Sequence, residues 1–108
     1  MKTFSEFISI NSFIPVVGRF TIKSKDNITF DKSKLFEIQL NNCVLRTPNW
    51  TISNYVLCEN IIEFCLSIAI KGGVQQLAES SFKGMQFDFT RAAEKTIGNC
   101  RVSFMVDK

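Results

Sequence analysis

The stretch from residue 36 to residue 47 most constrains how this chain can fold. Residues 36–40 (FEIQL) alternate apolar and polar side chains, which is the period of a half-buried β-strand. Asn41 and Asn42 interrupt the alternation, and an apolar run resumes at residues 43–45 (CVL). We therefore expect two antiparallel strands, 36–40 and 43–47, joined at the asparagines. These two residues form either a plain turn or part of a ligand-binding corner.

Other segments predict further strands. Residues 19–23 alternate in the same way, with Phe20 and Ile22 on one side. Residues 61–70 form the longest apolar run of the chain, broken by Glu63, and residues 84–89 place three apolar side chains on one face. Before them, residues 3–6 (TFSE) match a capping box and predict a short first helix.

Two segments remain ambiguous. Residues 74–79 suit either a helical turn or a strand. At the C-terminus, Ala93, Ile97, Cys100 and Phe104 form one helical stripe, which favours a helix over residues 91–105. The alternative there is a strand, with Val102, Phe104 and Val106 alternating. The predicted fold is mainly β: a small antiparallel β-barrel of five or six strands with a C-terminal α-helix.

Composition limits the class of protein. A chain of 108 residues is expected to form one domain, 1–108, and eleven phenylalanines beside one Trp and one Tyr predict an aromatic core. The net charge of +3 comes from scattered basic residues, so we expect no nucleic-acid polymer as partner. No segment has the length of a membrane span, and the N-terminus lacks the pattern of a secretory signal, so a cytoplasmic location is expected.

The cysteines and the absence of histidine bear on chemistry. The four cysteines have no C-x-x-C spacing and the chain has no histidine, so we predict reduced, buried thiols and no metal site. Without an imidazole there is no Ser-His or Cys-His nucleophile system. The sequence also has no glycine-rich phosphate loop. The predicted protein is therefore not an enzyme and carries no cofactor.

The order of elements after residue 36 resembles the PilZ domain family. Residues 38–48 (IQLNNCVLRTP) look like the signature corner of that family, a strand, a small-residue corner and an apolar return strand. Residues 61–70 are similar to its long central strand, and residues 82–87 (FKGMQF) to its last strand, which runs into a closing helix. The resemblance covers about residues 14–106. It implies a six-stranded antiparallel β-barrel with a C-terminal helix.

The resemblance also implies a ligand, because many such domains are receptors for bacterial cyclic di-GMP. They use an R-x-x-x-R motif for phosphate and guanine, and a [D/N]-x-S-x-x-G corner for the base. This chain has R-x-x-x-K inside its first strand, and Glu, Gln and Asn at the corner positions of Asp/Asn, Ser and Gly. Direct cyclic di-GMP binding is therefore expected to be weak or absent. The candidate ligand residues are Arg19, Lys23, Glu37, Gln39, Asn42 and, as a spare cation, Arg46.

Three functions follow as alternatives. The first is a regulatory adaptor in bacterial cyclic di-GMP-type signalling that acts through contacts with a protein partner, as a monomer or small homo-oligomer. The second is a cyclic di-GMP receptor with an altered site. The third is a self-assembling structural β-barrel subunit of a ring or tube, favoured by the surplus of phenylalanine.

Overall fold

A computed structural model describes residues 12–45 and 50–107 of the chain. The strands and helices follow one another along the chain in the order β-α-β-β-α-β. The elements are β1 (Phe13–Ser24), α1 (Phe30–Leu45), β2 (Trp50–Cys58), β3 (Ile61–Lys71), α2 (Gln75–Thr96) and β4 (Cys100–Val106). Among the described residues, neither helix is long and apolar enough to span a bilayer.

The four strands form one sheet in the order β2-β3-β1-β4, and every neighbouring pair is antiparallel. In the centre of the sheet, Phe20 on β1 lies opposite Phe64 on β3 and Phe104 on β4. Strands β2 and β4 are the two edges of the described sheet, so the sheet is open. The predicted fold, a mainly β, six-stranded antiparallel barrel, is therefore wrong: the structure is α+β with four strands.

The stretch that predicted a strand pair is helix α1. The side chains of Phe36, Leu40 and Val44 are buried at steps of four, which is the spacing of one helical face. The alternation of 36, 38 and 40 was misleading, because Ile38 points outward and is 55% exposed. The Thr29 hydroxyl accepts a hydrogen bond from the Lys32 backbone N–H at 3.3 Å, a capping contact that starts the helix.

The predicted corner is therefore absent. Asn41 and Asn42 are exposed residues inside α1, and the two strands expected at 36–40 and 43–47 do not form over the described residues. The described part of the helix extends to Leu45, and residues 46–49 after it lie outside the described part of the chain. The predicted helix at residues 3–6 also lies outside it.

Helix α2 replaces another predicted strand. Residues 84–89 are helical: Met85 and Phe89 are buried, whereas Phe87, expected on the same strand face, is 72% exposed. The ambiguous residues 75–79 also belong to this helix. At the C-terminus the favoured helix over 91–105 is correct only to Thr96. Gly98, with φ 108°, then reverses the chain, and the strand alternative is confirmed for β4.

The prediction of a phenylalanine core is confirmed. Both helices pack on one face of the sheet. The core between helices and sheet contains five fully buried rings, Phe20, Phe36, Phe64, Phe82 and Phe89. Phe20 stacks on Phe64 with ring centroids 5.4 Å apart, and meets Phe89 edge to face at 5.0 Å. Gly18 lets α2 approach the sheet, because a Cβ there would lie 2.9 Å from the Phe82 ring. The strands predicted at 19–23 and 61–70 are confirmed as parts of β1 and β3.

Candidate functional site

The candidate site is the side of the sheet that the helices do not cover, and we call it the open face. Successive side chains along each strand point alternately towards the helices and towards this face. On β3, Phe64 is buried under the helices, while its neighbours Glu63 and Cys65 lie on the open face. The open face comprises Arg19, Thr21, Lys23, Val56, Glu63, Cys65, Arg101, Ser103 and Met105.

These residues form ordered rows across the strands. Arg19 lies directly between Cys65 on β3 and Met105 on β4, and Thr21 lies between Glu63 and Ser103. The rows surround a concavity of about 440 Å³ that also reaches Val56 and Asn54 on β2. The concavity therefore combines one cation, one carboxylate, small polar groups and two apolar side chains.

A bulge in β2 shapes one side of the concavity. The register between β2 and β3 shifts between Ser53 and Val56, and Asn54 adopts a φ of 56°. Asn tolerates this left-handed conformation better than most residues. The bulge shifts the alternation of β2 by one residue, so Val56 lies opposite Glu63 on the open face and Tyr55 points to the helices.

Charge on the open face is mixed. The Arg19 Nε atom lies 3.9 Å from an Asp107 carboxylate oxygen, and both side chains are about half exposed, at 57% and 48%. Such a pair contributes little to folding. Because both groups stay accessible to solvent, they remain available to an approaching partner.

The Tyr55 hydroxyl lies on the helix side of β2 and joins it to α1. It donates a hydrogen bond to the Ser33 carbonyl at 3.0 Å, so the Ser33 hydroxyl is the donor in its 3.0 Å contact with the Tyr55 oxygen. Burial raises the pKa of Tyr55; the Ser33 hydrogen bond opposes this rise, and the charge of Glu37 adds to it. The arrangement is a structural clamp between β2 and α1.

The predicted ligand residues are divided by the sheet. Arg19 and Lys23 lie on the open face, four residues apart along β1. Glu37, Gln39 and Asn42 lie on α1, which packs against the other face. Arg46 lies outside the described residues. The structure therefore brings together only the first two members of the predicted set.

The prediction missed the residues that line the concavity with Arg19. Cys65 was interpreted as part of the apolar run at residues 61–70, and no role was assigned to Val56 or Met105. The signal that identifies them is the pairing register, which places β3 and β4 beside the outward residues of β1, and β2 beside β3. A single sequence does not contain that register.

Two other features bear on chemistry. Cys58, Cys65 and Cys100 are free thiols, and burial, with a smaller contribution from the charge of Glu94, raises the pKa of Cys100. Over the described ranges, no three His, Cys, Asp or Glu side chains lie close enough together to hold a metal ion.

A second exposed apolar surface lies on the outer side of α1. Leu35, Ile38 and Leu45 are 54%, 55% and 80% exposed and share the side of the helix opposite Phe36 and Leu40.

No known family model matches the chain, and no curated protein matches it. The PilZ resemblance is thus neither supported nor refuted by the comparisons, although the barrel it implied is wrong. Among solved structures, the chain is similar to the de novo designed protein LFR1 1 with ferredoxin fold, determined by solution NMR. The TM-score is 0.56 at 14% identity, covering 88% of this chain and 86% of that chain. At this identity the likeness establishes the fold alone: the chain has a ferredoxin-like fold.

Proposed function

We propose that this protein is a non-enzymatic adaptor module that binds a protein partner across the open face of its sheet. The observation that carries the proposal is the concavity of about 440 Å³, where exposed apolar side chains lie beside opposite charges. Val56 is 55% exposed and Met105 is 71% exposed, while Arg19 and Glu63 lie in neighbouring rows. Protein interfaces combine an apolar centre with polar groups in this way.

The strand edges are less suited to binding than the face. Strand β2 has its bulge between Ser53 and Val56, and bulged edges pair poorly with added strands. On β4, the Gln86 side-chain amide of α2 donates to the Val102 carbonyl at 2.6 Å. A peptide adding to this edge would compete with that bond. Both edges thus disfavour strand addition, which supports docking on the face.

The chemistry of the face favours protein over nucleic acid. Sheets that bind single-stranded RNA stack bases on exposed aromatic side chains. In the centre of the described open face the corresponding β1 and β3 positions are Arg19, Thr21, Glu63 and Cys65. Phe20 and Phe64 are instead buried under the helices. The acidic groups Glu63 and Asp107 would also repel phosphates.

For the wider setting we propose, on the PilZ resemblance alone, regulation in the bacterial cytoplasm in signalling of the cyclic di-GMP type. Direct binding of that nucleotide is a second candidate function, and its support is the proximity of Arg19 and Lys23 on one face of β1. Isothermal titration with cyclic di-GMP tests it. Micromolar binding that is lost in Arg19→Ala would favour a cyclic di-GMP receptor. The absence of binding heat at millimolar nucleotide would exclude the receptor and leave the adaptor as the proposed function.

Site-directed photo-crosslinking in the source organism tests the adaptor function. A benzoylphenylalanine at Val56 or Met105 is expected to yield one discrete heterologous adduct, identified by mass spectrometry. The matched control is the same probe at Lys83, an exposed position on α2. The added variant Met105→Glu should reduce the Val56 adduct while leaving the circular dichroism spectrum unchanged.

Three results would contradict the assignment. Equal adducts from Lys83 would mean that the crosslinks are non-specific. An adduct from Ile38 but not from the open face would move the contact surface to α1. Adducts only with a second copy of this chain, together with a large assembly by light scattering, would favour a self-assembling subunit.

A further inference from the structure

A cluster of three cations lies at one end of the sheet, and we call it the basic corner. Lys23 ends the outward-facing series of β1, Lys25 follows just beyond the strand, and Arg101 lies near the start of β4. These residues line a concavity of about 310 Å³, together with Ser24, Asn99 and Cys100. The corner is separate from the 440 Å³ concavity, whose lining includes none of the three cations.

Strand pairing brings two of the cations face to face. Lys23 and Arg101 are direct cross-strand partners in the β1–β4 ladder. Directly opposite side chains in an antiparallel pair have Cβ atoms about 5 Å apart, and like charges at this spacing are destabilising. The register of the β1–β4 ladder fixes this pairing, so the repulsion between Lys23 and Arg101 lowers the stability of the folded state.

Among the described residues, no acidic side chain forms an ion pair with Lys23 or Arg101. Over the described ranges the ion pairs are Arg19–Asp107 and Lys34–Glu37, and neither includes a cation of the basic corner. Asp26 follows the cluster in the chain, and Glu63 lies diagonal to Lys23 across β1 and β3. Neither carboxylate lines the concavity. An external anion would therefore find a concavity lined by three positive charges and no carboxylate.

We infer that the basic corner binds the phosphate groups of a small soluble ligand, with a diphosphate as the best match to its charge. Arg101 can hold two phosphate oxygens through its planar guanidinium, while Lys23 and Lys25 act as point charges on either side. The Asn99 amide, exposed at the rim, supplies a neutral donor. A bound anion also removes the repulsion between Lys23 and Arg101, so binding stabilises the fold.

Thermal denaturation with inorganic pyrophosphate tests this inference on the whole chain. Ionic strength is held constant with NaCl, because exposed charges respond to salt alone. At about ten times the dissociation constant, pyrophosphate is expected to raise Tm by about 5 °C. A parallel arm with sulfate should give a clearly smaller shift. Equal shifts from both anions, or none from pyrophosphate, would overturn the inference.

Variants locate the site. Arg101→Gln should weaken pyrophosphate binding about tenfold, the loss expected for one charge-assisted contact of about 1.4 kcal/mol. Should that variant fail to fold, Lys23→Gln provides the same test. The matched control is Lys71→Gln, since Lys71 lies at the opposite end of the sheet, beside Phe13. Equal weakening in the control would refute a specific corner.

A charge reversal separates repulsion from ligand binding. In Lys23→Glu the new carboxylate faces Arg101, so the variant without ligand should melt about 3 °C higher than the native chain. The same variant should lose its response to pyrophosphate. A lower Tm without ligand, or a retained response, would mean that the opposed cations do not form the site.

Discussion

The helix-covered face and the open face of the sheet are built from alternate residues of the same strands, yet they serve different ends. On the covered face, Phe20, Phe64 and their neighbours are almost completely buried. On the open face, Arg19 and Cys65 occupy the adjacent positions of the same β1–β3 ladder. The covered face therefore holds most of the folding free energy, and the open face is free to vary in chemistry without loss of the fold.

The largest expected difference between the faces is at two consecutive residues of β3. Phe64→Ala should lower the free energy of unfolding by about 3–5 kcal/mol, because it removes a ring that contacts Phe20, Phe36 and Phe89. The matched variant Cys65→Ala on the open face should change it by less than about 0.5 kcal/mol. Urea denaturation measures both. Similar losses at the two positions would mean that the open face is covered in solution.

Two glycine substitutions test the close approach of α2 to the covered face. In Gly18→Ala the new methyl would lie 2.9 Å from the Phe82 ring, so we expect a loss of about 1–3 kcal/mol. The same change at Gly84, whose Cβ position is open and helical, should stabilise the protein by about 0.5–1 kcal/mol. Chemical denaturation of the two variants should therefore give opposite signs; equal signs would contradict the packing of Phe82 over Gly18.

The sequence predicted the covered face better than the elements around it. The strands β1 and β3 were predicted from the alternation at residues 19–23 and from the apolar run at residues 61–70, and both segments lie inside the strands. In α1, by contrast, the apolar residues at 36, 40 and 44 satisfy both a strand period and a helix period, since every fourth residue belongs to both. The exposed Ile38 made the strand pattern complete, although it serves no buried face.

The same ambiguity explains the wrong prediction of a strand at residues 84–89. Met85, Phe87 and Phe89 alternate as in a strand, but only Phe87 is exposed, so the helical spacing of Met85 and Phe89 is the meaningful one. Arg19 and Lys23 were identified as outward cations of a strand, which the structure confirms. Their neighbours Glu63, Met105 and Arg101 come from distant parts of the chain, and only long-range strand pairing determines that they meet.

The Tyr55 clamp predicts how the covered side responds to alkaline pH. The pKa of Tyr55 is raised above its ordinary value of 10.0, mainly by burial, so the folded state holds this proton more tightly than the unfolded state. The stabilisation is fully present below about pH 10 and is lost as pH rises through the folded pKa. Tyr55→Phe should cost about 1 kcal/mol at pH 7, through the lost bond to the Ser33 carbonyl, and should flatten the decline above pH 10.

Stability measured by denaturation at several pH values checks this expectation. Cys100→Ser is the control, because the pKa of Cys100 is also raised above its ordinary value, there 9.0, by burial and by Glu94. Its contribution should begin to fall nearer pH 9, which separates the two groups. A Tyr55→Phe variant that declines as steeply as the native chain above pH 10 would show that the clamp does not carry the pH dependence.

The smallest expected effect lies at the ion pair of the open face. Arg19→Ala should change the free energy of unfolding by less than about 0.5 kcal/mol, since the 3.9 Å contact with Asp107 joins two half-exposed side chains. Asp107→Asn and the double variant complete a cycle, and their coupling should vanish in 1 M NaCl, where charges are screened within about 3 Å. A coupling well above 1 kcal/mol would mean that the open face helps to hold the fold. The Arg19–Asp107 pair would then stabilise the fold, and Arg19 could no longer be assigned to a face that serves binding alone.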